Sequence, residues 1–141
     1  MIVYATAEFK RQPETLAHKN SYSDVASDVC NFLKDKDLQE LHQMRDLIQN
    51  TTGTYSLNKY RIANSIMQRG KRGSYRCICA CFPITDTIVL GAVYPKTGSD
   101  GVDNLPKEEY KRIAKSILQA LESKELFLFD KQHGMFLKPG K

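Results

Sequence analysis

Residues 74–82 and 87–94 form two nearly unbroken apolar runs, Ser-Tyr-Arg-Cys-Ile-Cys-Ala-Cys-Phe and Thr-Ile-Val-Leu-Gly-Ala-Val-Tyr. Pro83 and three further residues separate them. Runs of this length, bounded by turn residues, read as strands. The second is so uniformly apolar that it reads as a central strand. A third strand-like stretch, residues 55–63, precedes them across a basic turn that holds Gly70 and Gly73. Any fold for this chain must therefore accommodate a three-stranded meander in its middle.

The flanks supply helices. The opening Met1-Ile2-Val3-Tyr4-Ala5-Thr6 reads as the first strand. Residues 7–16 favour a helical turn or two, interrupted by Pro13. Ser21, with Asp24 three residues on, can cap a helix whose apolar face is Tyr22, Val25, Val29, Phe32 and Leu33. Asp37 with Glu40 makes a second capping box and opens a helix through Leu38, Leu41, Met44 and Leu47. These two helices read as a hairpin packed on the sheet, followed by a turn at residues 50–53. After a loop over residues 95–104, Asn104 is the expected cap of a further helix, with Pro106 in its first turn and a stripe of Tyr110, Ile113, Ile117, Leu118 and Leu121. Residues 126–129 and 135–137 read as a closing hairpin. The expected architecture is α+β, a single domain over residues 1–141: a twisted, mainly antiparallel sheet, helices on one face and a basic concave face opposite.

Charge placement is more informative than its total. The 141 residues carry a net charge of +5, a weak hint of a polyanionic partner. Between Asp46 and Asp86, however, there is no acidic residue, while Lys59, Arg61, Arg69, Lys71, Arg72 and Arg76 all fall in that window. Such a cluster suits a phosphate backbone. Tyr55, Tyr60 and Tyr75 are interleaved with it as candidates for stacking bases. The bland alternative is a solvated strand face with a basic turn.

Other chemistries find little support. Of the four cysteines, Cys30, Cys77, Cys79 and Cys81, the last three alternate along one strand and so share a face; these three read as small buried hydrophobes of a reducing compartment rather than as a zinc site or disulfides. His18, His42 and His133 are isolated, with no Cys or Ser partner at a recognisable spacing. Gly70-Lys71-Arg72-Gly73 has neither the P-loop nor the dinucleotide spacing. Glu108 and Glu109 sit where they complement a helix dipole. No stretch is apolar enough to cross a bilayer and the start has no basic leader, so no membrane association and a cytoplasmic location are expected.

Three motifs in order are more specific. Lys59-Tyr60-Arg61-Ile62-Ala63, then Gly70-Lys71-Arg72-Gly73-Ser74-Tyr75-Arg76, then a strand ending Tyr94-Pro95-Lys96 resemble the RelE/HigB-type toxins of the RelE/ParE superfamily. Asn104-Leu105-Pro106-Lys107-Glu108-Glu109 resembles their helix start. The match covers roughly residues 57–121. Ser74 stands in place of the second glycine of the usual pair, and the loop after Lys96 and the C-terminal hairpin exceed the minimal family fold.

The resemblance implies a RelE-like fold and a type II toxin that inhibits translation as a ribosome-dependent mRNA endoribonuclease (mRNA interferase), without metal or other cofactor. It implies an acidic antitoxin, the ribosome and mRNA as partners. The reaction would be attack of a ribose 2′-OH on the adjacent phosphate. Arg61 and Arg76 are the candidates for gripping the phosphate, with Tyr94 and Lys96 beside them as catalytic candidates; Lys59, Arg69, Lys71 and Arg72 are candidates for holding RNA. A cation cluster would be expected to lower neighbouring Lys and Tyr pKa values. Two other readings are a ParE-like toxin that inhibits DNA gyrase and an RNA-binding module that cuts nothing.

Overall fold

The computed structural model describes residues 1–16, 25–50, 54–65, 74–95, 105–130 and 132–137. Strand β1 (Ile2–Ala5) is followed by helices α1 (Ala7–Leu16), α2 (Val25–Leu33) and α3 (Leu38–Met44). Strands β2 (Asp46–Asn50), β3 (Ser56–Ala63), β4 (Ser74–Phe82) and β5 (Thr87–Pro95) come next, then helix α4 (Lys107–Ser123) and the hairpin β6 (Phe127–Asp130) and β7 (Met135–Leu137). All seven strands join one sheet in the order β2-β3-β4-β5-β1-β6-β7. Among the described residues every pairing is antiparallel except β1 with β5. The fold is thus mixed α+β with a mainly antiparallel sheet, the meander at its centre and a C-terminal hairpin at one edge.

Local chemistry explains most of the element ends. Thr6 Oγ1 accepts from the Phe9 N–H at 3.2 Å and caps α1. Asp37 and Glu40 form the expected capping box of α3, with Asp37 Oδ1 accepting from the Glu40 N–H at 2.9 Å. A 3₁₀ turn at Pro83–Thr85 and the left-handed Asp86 (φ 49°) return the chain from β4 to β5. Lys124, also left-handed, closes α4.

Several expectations are corrected. Pro13 does not interrupt α1. Phe9, fully buried, and Gln12, whose Oε1 accepts from the Val93 N–H at 2.7 Å, hold the helix on β5. The helix after Asp37 stops at Met44, because Arg45 turns to extended backbone; Leu47 belongs instead to edge strand β2. Pro106 stands just before α4 rather than inside it. In the α4 stripe Ala114 is buried and Leu118 is exposed. The caps Ser21 and Asn104 lie outside the described residues, as do Tyr22, most of the 50–53 turn and the glycines at 70 and 73.

The largest correction concerns the layers. One face of the sheet carries Val3, Tyr60, Ile62, Tyr75, Cys77, Cys79, Cys81, Ile88, Leu90 and Val93, packed with Phe9, Val25, Val29, Leu33 and Leu41 of α1, α2 and α3. The other carries Leu57, Ile78, Ala80, Val89 and Ala92, packed with Ile113, Ala114 and Ile117 of α4. Helices therefore cover both faces rather than one. The seat of α4 is Gly91, the extra residue of a bulge between the pairs Ile78–Ala92 and Cys79–Leu90. A Cβ there would stand 2.7 Å from Ile117 Cδ1 and 2.9 Å from Ile113 Cγ2.

Candidate nucleic-acid interface

Strand register brings three of the singled-out side chains into one row. Arg61 of β3 stands opposite Arg76 of β4, and Arg76 stands opposite Tyr94 of β5. The row crosses the sheet at the end where β3 and β5 finish and β4 begins. The chain leaves that end for residues 66–73 and 96–104, so Arg69, Lys71, Arg72 and Lys96 follow from it in sequence while lying outside the described residues. The row lies on the α4 face, beside that helix's first turn.

Its three members differ in access. Arg61 is exposed. Arg76 is 7% exposed and donates from Nη1 to Ser74 Oγ at 2.9 Å, so Ser74, where the resemblance leads one to expect glycine, serves as a positioning partner. The Tyr94 hydroxyl is buried without a hydrogen-bond partner; the Tyr110 hydroxyl lies near it without closing a bond of ordinary geometry. Burial and then Tyr110 push the Tyr94 phenol well above its ordinary pKa, and the opposing pull of Arg76 is weaker. The expected lowering by cations is thereby corrected: Tyr94 keeps its proton at neutral pH and can donate, but it is not a base. Tyr110 was read from sequence only as part of an apolar stripe; its spacing carries no signal of this role.

Lys59 is two residues from Arg61 on the same face. Its ammonium lies 3.8 Å from the exposed Asp46 carboxylate and over the Tyr110 ring. Asp46 marks the edge of the acid-free window in sequence, yet β2 pairs Asp46 directly with Lys59. The window is free of carboxylates along the chain, not in space. The tyrosines expected to stack bases are also redeployed. Tyr60 and Tyr75 are buried on the opposite face, and Tyr55 stacks on Phe82 with ring centroids 5.5 Å apart.

The four cysteines are free and buried, and Cys77, Cys79 and Cys81 share the face covered by α2 and α3, as the alternation implies. Among the described residues no helix is long and apolar enough to cross a membrane. Comparison with protein-family models, curated proteins and solved structures returned no match.

The buried phenols and thiols predict an alkaline limit to stability. Burial raises the pKa of Tyr60, Tyr94, Cys79 and Cys81 in the folded chain. A raised folded pKa means that the unfolded chain loses its proton first, so the stabilisation is complete below the ordinary pKa and falls as pH climbs through it. The thiols set the onset near pH 9 and the phenols steepen the loss above about pH 10. Urea midpoints should be flat from pH 7 to 8 and drop progressively from pH 9 to 11, and Tyr60→Phe should soften the slope above pH 10. A midpoint constant to pH 11 would refute this.

Proposed function

We propose that this chain has a RelE-like fold and acts as a ribosome-dependent mRNA endoribonuclease, the toxin half of a toxin–antitoxin pair, restrained by an acidic antitoxin. The observation that carries the reading is the cross-strand row of Arg61, Arg76 and Tyr94, residues far apart in sequence that the resemblance separately nominates. In the proposed reaction the 2′-oxygen attacks the adjacent phosphorus, the bond to the 5′-oxygen breaks, and a cyclic phosphate and a free 5′-hydroxyl result. The two guanidiniums stabilise charge gathering on the phosphate oxygens. Tyr94, held protonated, would donate a hydrogen bond to phosphate or leaving oxygen once RNA binding uncovers its enclosed hydroxyl. Lys96 adds charge beside it, and Lys59, Arg69, Lys71 and Arg72 hold the RNA. A site built from cations and a phenol, with no histidine acid–base pair, needs its substrate aligned by another body, which is the part given to the ribosome. The net charge of +5 suits an acidic partner.

A second reading, RNA binding without cleavage, draws on the enclosure of Arg76 and of the Tyr94 hydroxyl, which leaves Arg61 as the open member of the row. Primer extension on cellular mRNA after brief expression separates the readings. In-frame cuts confined to translated regions are expected. Intact mRNA with the protein sedimenting on ribosomes would replace cleavage by binding; intact mRNA with DNA-damage signalling would favour gyrase inhibition.

A further inference from the structure

A second polar site lies on the opposite face of the sheet and at its other end. A cleft of about 530 Å³ opens between α3 and the β3–β4 pair, within the size range of small-molecule sites. Leu38, Tyr55 and Pro83 give it apolar walls, Arg45 at the end of α3 brings a positive charge, and His42 adds an imidazole; among the described residues no carboxylate lines it. Asn58, Ser56 and Cys81 are its polar lining from the sheet. Asn58 is fully buried. Its Nδ2 donates to Ser56 Oγ at 2.9 Å and to Cys81 Sγ at 3.2 Å, while its Oδ1 has no partner. A buried amide oxygen without a donor is uncommon and costly. The amide hydrogens of Asn58 are thus engaged with Ser56 and Cys81, and its oxygen is the group left over.

The geometry points to this cleft as a binding site for a small organic anion that carries an N–H donor on a flat body, the chemistry of a nucleoside monophosphate. The phosphate pairs with the Arg45 guanidinium, with His42 one turn back along α3. The base lies against Tyr55, whose ring is fixed by its stack on Phe82, and a base N–H satisfies Asn58 Oδ1. The site is independent of the Arg61–Arg76–Tyr94 row: Asn58 and Cys81 belong to the α3-covered face, and Ser56 pairs with Cys81 at the far end of the β3–β4 ladder.

Titration of the full-length protein with AMP, CMP, GMP and UMP, followed by calorimetry, tests this. At least one nucleotide should bind, more tightly than its nucleoside or inorganic phosphate alone. Arg45→Ala and Asn58→Leu should each weaken that binding tenfold or more, and Arg61→Ala should leave it unchanged. Arg45 is partly exposed, so its variant tests the site even where Asn58→Leu disturbs packing. The proposal fails if none of the four binds at millimolar concentration. It fails equally if binding survives Arg45→Ala, or if Arg61→Ala abolishes it, since the nucleotide would then be held by the other face.

Discussion

Replacing Arg76 with Met is expected to lower single-turnover cleavage on saturated, programmed ribosomes a hundredfold or more while the protein still folds. Arg76 sits between Arg61 and Tyr94 in the ladder and is held by Ser74. A preorganised charge of this kind contributes on the order of 3–4 kcal/mol to transition-state stabilisation. Met is the better test than Ala because Arg76 is buried. Truncation to Ala would leave a hole where the long side chain stood, with a cost of about 1–3 kcal/mol in stability. Circular dichroism and a melting curve serve as the folding control. If Arg76 only gripped one RNA phosphate, saturation would restore the rate, and the salt dependence of binding would lose about one unit of slope. A folded Arg76→Met protein that cuts at the wild-type rate would remove the central residue of the proposed site.

The second large effect is structural. Gly91→Ala should destabilise the fold by about 1–3 kcal/mol, lowering the melting temperature by roughly 3–10 °C. The added Cβ meets Ile117 Cδ1 at 2.7 Å and Ile113 Cγ2 at 2.9 Å. The Ile117 tip can rotate aside only within a packed layer, and the branched Ile113 is stiffer still. Ile117→Val removes the nearer methyl, so the double variant Gly91→Ala/Ile117→Val should be more stable than the sum of the single effects predicts, with a coupling of about 0.5–1 kcal/mol. Strict additivity would show that α4 does not seat on Gly91.

The central strands were legible because their limits are written in local chemistry. Pro83 ends β4 where expected, and the expected residues 87–94 differ from β5 by one residue. Asp37 and Glu40 announced the start of α3. Its end was not legible, because Leu38, Leu41, Met44 and Leu47 keep helical spacing through a point where edge pairing with β3 wins. That pairing also brings Asp46 to Lys59, which no reading of charge along the chain reveals. The two-sided burial had a signal that charge obscured. From Cys77 to Cys81 the strand reads Cys-Ile-Cys-Ala-Cys without one polar residue, the pattern of a strand covered on both faces. Arg76 and Ser74, just before it, suggested an open face, yet both are buried. The row of Arg61, Arg76 and Tyr94 was nominated residue by residue; its alignment depends on register, and the enclosure by Tyr110 depends on where α4 docks.

The parallel pairing of β1 with β5 has a consequence in time. Strand β1 alone joins the β2–β5 meander to the β6–β7 hairpin, and it does so by lying beside β5. During synthesis β1 emerges ahead of the meander, and its partner at Thr87 follows more than eighty residues later. Its other neighbour, β6, comes later still. A strand that waits this long contributes nothing to early structure, and distant pairings of this kind slow folding. The meander, by contrast, pairs between near neighbours in sequence. The central meander can therefore be ordered before β1 joins it to the β6–β7 hairpin, although β1 precedes both along the chain.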